Sequence, residues 1–165
     1  MSFDGFCIKT GARERIWVHN TEKNHAEGHS YRLNFHCTNN IAEYEALLLG
    51  LQLLKKLGAR RIVVHGDSEV IIRQINGEYT AKHPRLRAYR NYAMELLKTF
   101  EEYELVIVPR DQNILANGLS YDASSCQRPY DNKQFTVQVK YRLDILDNEK
   151  YWHVFEGDKQ IEDFL

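Results

Sequence analysis

The order of apolar and polar positions predicts that the chain opens with strands. Residues 2 to 8 and 14 to 19 are short runs of aromatic and β-branched residues separated by Gly11, a pattern that favours a β-hairpin with an extended loop. The segment HSYRLNFHC, residues 29 to 37, is predicted to be a third strand. Three antiparallel strands are therefore expected at the start of the fold.

A long helix is predicted next, because IAEYEALLLGLQLLKKLG is rich in helix-forming residues. It is expected to begin after Asn40, with Glu43 three residues later, and to end in Lys55, Lys56 and Gly58. Its apolar residues surround most of the helix circumference. This is typical of a central helix that is buried on most sides.

Strands and helices alternate in the rest of the first 125 residues. RRIVVHG suits a strand buried on both faces, and DSEVIIRQING predicts a helix that stops at Gly77. After Pro84 a helical spacing runs through RLRAYRNYAMELLKTFEE, followed by a buried strand in ELVIVP and a short last helix in NILANGLSYDASS. The order βββαβαβα predicts an α/β fold with a mixed five-stranded sheet, antiparallel at its opening and parallel at its centre, flanked by helices.

The composition changes near Cys126, which predicts a domain over residues 1–125 and a C-terminal extension over residues 126–165. The extension begins with the polar linker QRPYDNKQ, continues with a strand-like alternation in FTVQVKYRL and ends in an aromatic and acidic tail. We expect it to pair with the edge of the domain or with a partner.

Composition narrows the class of protein. A length of 165 residues with 43% hydrophobic and 27% charged residues suits a soluble globular domain. The longest apolar stretch is too short to cross a bilayer and the first residues lack the apolar core of a signal peptide, so we expect an intracellular protein, in cytoplasm or nucleus, without a membrane partner. Three cysteines at no metal-ligand spacing predict free thiols. The net charge of -1 means that contact with a phosphate backbone would need local basic clusters or bound metal.

Four positions are candidates for a shared site. They are Asp4 on the first strand, Glu43 in the first turn of the long helix, Asp67 at the end of a buried strand, and the region around Asn117. Strand ends and helix starts are where sites form in α/β sheets, so the predicted topology could bring these side chains together. Glu45 is the poorer ligand candidate because it lies on a different helix face from Glu43.

Each acidic residue also has a purely structural interpretation. Glu43 fits a capping box with Asn40, Asp67 could cap the following helix, and Asp4 beside Gly5 could lie in a turn.

Four segments resemble, in order, the motifs of the type 1 ribonuclease H domain of gypsy-type LTR retrotransposons, notably those of plants: FDG (3–5), TNNIAEYEALLLGL (38–51), HGDSEVIIRQINGEY (65–79) and VPRDQNILANGLS (108–120). The resemblance covers residues 2 to about 125, and YRLDILDNEKYWHVF resembles the segment that follows this domain in such polyproteins. It implies an RNase H-like fold, hydrolysis of RNA in RNA/DNA hybrids and a neighbouring reverse transcriptase domain.

In that family four carboxylates bind two Mg²⁺ ions, for which Mn²⁺ can substitute. The resemblance implies that Asp4, Glu43 and Asp67 are catalytic and metal-binding residues, and it aligns the fourth carboxylate with Asn117 in LANGLS. Two ions roughly 4 Å apart activate a water and stabilise the leaving oxygen. An asparagine offers an oxygen without charge, so we expect weaker metal binding. Natural decay and an engineered Asp-to-Asn change would both give this sequence.

The second strand departs from the family as well. Arg13, Glu14 and Arg15 add bulk and charge where relatives have small residues. Three histidines nearby are assigned to a strand end and a solvated hairpin loop in preference to a metal site: His19, His25 and His29.

Predicted substrate contacts lie in two regions. Asn39 and Asn40 stand at a helix start, where amides can meet a phosphate or a 2′-hydroxyl. A basic segment from Lys82 to Arg90 suits contact with a nucleic-acid backbone, although a solvated helix face explains it equally well. The full set of predicted contacts is Gly5, Asn39, Asn40, Ser68, Lys82, Arg85 and Arg87.

Two hypotheses follow. The first is a ribonuclease H-type endonuclease, impaired to some degree by Asn117. The alternative is a catalytically inactive, retroelement-derived module that binds nucleic acid or protein.

Overall fold

The computed structural model describes residues 1–8, 11–33, 38–113 and 133–140. It opens with the antiparallel strands β1 (Ser2–Ile8), β2 (Gly11–Asn20) and β3 (His25–Leu33). Ile8 pairs with Gly11, so the first connection is short and the predicted extended loop is wrong.

The second hairpin closes earlier than predicted. The side chain of Asn20 accepts hydrogen bonds from the N–H groups of Glu22 and Lys23, both at 3.1 Å, and Asn24 adopts a positive φ of 48°. These features are typical of a tight turn. Strand β3 therefore begins at His25 instead of His29, so His25 lies in a strand and not in the predicted loop.

The remaining elements are α1 (Asn39–Lys56), β4 (Arg61–Gly66), α2 (Glu69–Ile75), α3 (Pro84–Leu97), β5 (Glu102–Ile107), a 3-10 turn (Arg110–Gln112) and β6 (Lys133–Lys140). Two helices connect β4 to β5, which confirms both predicted helical segments, so the predicted order βββαβαβα omitted one helix. The predicted last helix, apart from Asn113, lies outside the described residues.

The strands form one mixed sheet in the order β5-β4-β1-β2-β3-β6. Strand β4 pairs in parallel with both β1 and β5, whereas β1, β2 and β3 are antiparallel neighbours. The predicted mixed sheet of five strands is thus confirmed. A sixth strand from the predicted extension adds to it, because β6 pairs in parallel with β3 from Ala26↔Lys133 to Leu33↔Lys140.

Helix α1 packs across this sheet and supplies the centre of the core. Leu47, Leu48 and Leu51 are wholly buried, together with Phe3 of β1 and Ile16 of β2. The prediction of a central, buried helix is confirmed. Among the described residues, no helix combines the length and the apolar character that a membrane span requires.

The helix caps differ from the predicted ones. Thr38 caps α1 through its Oγ1, which accepts from the N–H of Ile41 at 3.3 Å, so Asn40 lies within the helix. Ser68 caps α2 by accepting from Ile71 at 3.4 Å. The capping interpretations of Glu43 and Asp67 are therefore wrong, and Asp4 lies in strand β1 instead of a turn.

Candidate active site

Close contact between β1 and α1 brings the first two acidic residues together. A Cβ atom on Gly5 would lie 2.3 Å from the backbone C and O atoms of Ala42, so only glycine allows the strand to approach the helix this closely. Asp4 precedes Gly5 and Glu43 follows Ala42. Gly5, a predicted substrate contact, thus has a packing role that shapes the site.

The third acidic residue arrives from β4. This strand pairs in parallel with β1, and Asp67 follows its last residue, Gly66. Asp4, Glu43 and Asp67 each offer a carboxylate oxygen, and these oxygens lie within 4.8 Å of one another. The structure therefore brings together three of the four predicted ligands. Asn117 lies outside the described residues.

Burial and nearby negative charges disfavour the ionised forms of Glu43 and Asp67. Asp4 is 4% exposed and Glu43 is 9% exposed. Burial, and then the charges of Asp4 and Asp67, raise the pKa of Glu43 to about 9, although a hydrogen bond from the Gly5 N–H favours its ionised form. Burial and the charge of Asp4 also raise the pKa of Asp67. A positive charge nearby would therefore stabilise the ionised forms of Glu43 and Asp67.

Two oxygens of the cluster are buried without hydrogen-bond partners among the described residues: Oδ1 of Asp4 and Oε2 of Glu43. Buried polar atoms in proteins are almost always satisfied, so a pair of unsatisfied carboxylate oxygens at one place indicates a missing partner. Mg²⁺ and Mn²⁺ prefer oxygen ligands, carboxylates above all. The residues present fit a divalent metal ion.

Two arginines approach the cluster from the chain itself. Arg15 on β2 stands directly opposite Asp4 in the strand register, and its Nη2 forms an ion pair with Asp4 Oδ2. Nε of Arg110 lies 3.7 Å from Asp67 Oδ2, on a side chain that is 82% exposed. The sequence singled out Arg15 for its bulk and charge but missed this ion pair. The signal that could have found it is the hairpin register, which makes Arg15 the partner of Asp4.

Glu45 faces away from the cluster, as its position two residues after Glu43 predicted. It is fully buried, and its Oε1 accepts a hydrogen bond from the Tyr89 hydroxyl on α3 at 2.6 Å.

The predicted substrate contacts at helix starts differ in their availability. Asn39 is exposed, with its Oδ1 accepting from the Cys7 N–H at 2.7 Å, and Asn40 is half-buried beside it. The hydroxyl of Ser68 is used as the cap of α2. Asn39 and Asn40 therefore stand at the open end of α1.

The basic segment divides into an outer and an inner part. Lys82 is exposed and Arg85 is half-buried, whereas Arg87 and Arg90 are only 4% and 5% exposed. Neither a solvated helix face nor an open backbone contact describes the last two residues. Arg90 donates hydrogen bonds to Oδ1 of Asn91, at 3.3 Å from Nε and 3.1 Å from Nη2.

The histidines near the second hairpin form a local arrangement on β3. His25 and His29 lie on either side of Glu27, with nitrogen to oxygen distances of 3.0 and 3.2 Å. Both histidines therefore have a polar partner within their own strand. His19 is exposed near the end of β2.

A family model described as "Reverse transcriptase-like" matches residues 7–123. The chain belongs to the reverse transcriptase-like family. The curated relatives of this family member include ribonuclease HI of Halobacterium salinarum, which is 37% identical over 86 residues, or 52% of this chain and 43% of the relative. The bifunctional protein Rv2228c of Mycobacterium tuberculosis is 38% identical over 86 residues, or 52% of this chain and 24% of the relative. The chain thus spans less than half the length of these relatives.

Solved structures of ribonucleases H share the fold of this chain. RNase H1 from Halobacterium salinarum NRC-1 has a TM-score of 0.62 at 30% identity, over 72% of this chain and 90% of that chain. LC11-RNase H1, solved in complex with an RNA/DNA hybrid, has a TM-score of 0.57 at 26% identity, over 68% and 86% of the two chains. The RNase H-like fold of this reverse transcriptase-like domain is confirmed.

Proposed function

We propose that this RNase H-like domain hydrolyses the RNA strand of RNA/DNA hybrids with Mg²⁺, or Mn²⁺ in its place. The observation that carries the proposal is the cluster of Asp4, Glu43 and Asp67, whose carboxylate oxygens lie within 4.8 Å of one another. The relatives named ribonuclease H, and the hybrid bound to LC11-RNase H1, support the choice of substrate.

Each member of the cluster has a role in this proposal. Asp4, Glu43 and Asp67 would hold the metal, and Asn117, which the resemblance aligns with the family's fourth carboxylate, would be a neutral fourth ligand. Divalent ions, when bound, activate a water molecule and stabilise the leaving oxygen. The buried setting of Asp4 and Glu43 fixes their oxygens in advance, so little reorganisation is needed when metal and substrate bind.

Substrate would be held outside this cluster. The exposed Asn39 and the half-buried Asn40 at the start of α1 suit contacts with the RNA strand. Lys82 and Arg85 suit contacts with phosphates. Arg87 is withdrawn from this set because its side chain is buried.

The proposal is tested with a labelled RNA/DNA hybrid, incubated with the protein in Mg²⁺ or Mn²⁺. We expect slow cleavage of the RNA strand, lost in Asp67→Asn and increased in Asn117→Asp, which restores the fourth charge. Cleavage that is unchanged in Asp67→Asn would contradict the assignment of the site.

A second function is favoured by the Arg15 ion pair on Asp4 and by the neutral Asn117: an inactive module that binds nucleic acid. Hybrid binding without cleavage, in both the native protein and Asn117→Asp, would support this module over the enzyme. Binding should be measured at low salt, because phosphate contacts weaken as salt rises.

We also propose a retroelement origin, with a reverse transcriptase domain in the same polyprotein. The TNN-x-AEYEAL segment supports this origin. Sequencing the flanking coding region tests it, and flanks without any retroelement domain would count against it.

A further inference from the structure

The guanidinium of Arg15 is a positive charge in direct contact with the acidic cluster. Antiparallel pairing of β1 and β2 sets Arg15 opposite Asp4, and their side chains form an ion pair. The guanidinium also lies over the ring of Phe6, 5.1 Å from its centroid. Phe6 is two residues after Asp4, so the same strand face presents both partners. Arg15 is therefore held on two sides at the position of its contact with Asp4.

The two oxygens of Asp4 are in different situations. Oδ2 is engaged by Arg15, whereas Oδ1 is buried and has no hydrogen-bond partner among the described residues. Oε2 of Glu43 is in the same state as Oδ1. A cation that binds through Oδ1 of Asp4 and Oε2 of Glu43 leaves the contact between Arg15 and Oδ2 in place. A second cation that needs Oδ2 has to displace Arg15.

The charges of the cluster also indicate a single divalent ion when Arg15 stays in contact with Asp4. Asp4, Glu43 and Asp67 carry three negative charges when ionised, and Arg15 cancels one of them. The remaining two are balanced by a single divalent ion. Arg110 adds little to this balance, because an ion pair on a side chain that is 82% exposed is screened by water.

We infer that Arg15 acts as a built-in cation that takes the place of one metal ion, so that the site binds one divalent ion and not two. The inference rests on the proposed function and specifies how its metal site is filled. Arg15 is a positioning residue in this role, because it acts through Asp4.

The test is a titration of the full chain with Mn²⁺ in the absence of nucleic acid, with bound and free ion measured by electron paramagnetic resonance and by calorimetry. The native protein should bind one Mn²⁺. Arg15→Ala should bind a second ion, or bind the first on the order of tenfold more tightly, because a positive charge in contact with a ligand has been removed. Arg15→Lys keeps the charge and should behave as the native protein.

Arg13→Ala is the matched control. It removes the same charge from the same strand, two residues from Arg15, and its native partner in the register is Phe6 instead of Asp4. Mn²⁺ binding by this variant should equal that of the native protein. An equal gain in Arg13→Ala and Arg15→Ala would overturn the inference, since a general charge effect would then explain both.

Other results separate the inference from the proposed function. Two Mn²⁺ ions on the native protein would overturn the inference, even if Arg15→Ala fails to fold, and hybrid cleavage by that same protein would leave the proposed function standing. One ion on the native protein without cleavage would support the inference and count against the enzyme. No Mn²⁺ binding by the native protein, Arg15→Lys or Arg15→Ala would overturn both.

Discussion

At the scale of single residues, burial and the ion pair between Arg15 and Asp4 set the electrostatics of the acidic cluster. Asp4, Glu43 and Asp67 could be placed in one site from the sequence because strand ends and helix starts meet at one edge of the sheet. Their electrostatics could not be predicted, because they depend on burial and on Arg15. No residue spacing indicates that Glu43 is 9% exposed, and the contact between Arg15 and Asp4 follows only once the register of the first hairpin is known.

Glu43 gives a prediction about pH. Its pKa is raised from 4.5 to about 9, so the folded protein holds a proton that the unfolded chain releases. The stabilisation from this proton is complete below the unfolded pKa and is lost as pH rises through the folded one. In EDTA, the free energy of unfolding should therefore fall between about pH 5 and about pH 9, by at most about 1.4 kcal/mol per pH unit.

Urea unfolding across this pH range measures the slope. Glu43→Gln should flatten it, leaving a smaller slope because the pKa of Asp67 is raised as well. Glu101→Gln alters an exposed carboxylate on the loop before β5 and serves as the control. A slope in Glu43→Gln equal to that of the native protein would show that another group is responsible.

At the scale of elements, the sequence predicted which segments form helices better than where they begin. Thr38, Asn39 and Asn40 are three successive residues that all favour the cap position, and propensity alone does not rank them. The tertiary structure decides, because the Asn39 side chain accepts from the Cys7 N–H and leaves Thr38 to cap the helix. The same holds for Asp67 and Ser68 at the start of α2.

This difference predicts an unequal effect of two neighbouring substitutions. Thr38→Ala should lower the free energy of unfolding by about 1 kcal/mol, because the Ile41 N–H loses its partner. Asn40→Ala should cost much less, because Asn40 lies within α1 and alanine is a better helix former. Urea unfolding of both variants at one pH tests this. A larger loss of unfolding free energy in Asn40→Ala than in Thr38→Ala would mean that Asn40 is the cap, as the sequence predicted.

For the whole molecule, the sheet and its central helix followed from the sequence, but the buried charges did not. Glu14 and Glu45 are fully buried, and Arg87 and Arg90 of α3 nearly so. From the sequence we expect such residues at the surface, because charged side chains are seldom buried unless they are paired. Their location becomes visible only when β2, α1 and α3 are packed together. This rule led us to expect the whole basic segment at the surface, whereas Arg87 and Arg90 are buried.

The acidic cluster also links the molecule as a whole, because β1, α1 and the segment after β4 each contribute one carboxylate. A divalent ion that binds only the folded state stabilises it by about 1.4 kcal/mol for each tenfold rise in concentration above the dissociation constant. We therefore expect Mn²⁺ or Mg²⁺ to raise the midpoint of thermal unfolding, and EDTA to reverse the effect. Asp67→Asn should lose most of this rise, because it removes the half-buried ligand without opening the core. Asp111→Asn removes an equal charge from the exposed 3-10 turn and should keep the rise. Equal shifts in both variants would mean that the ion binds elsewhere on the protein.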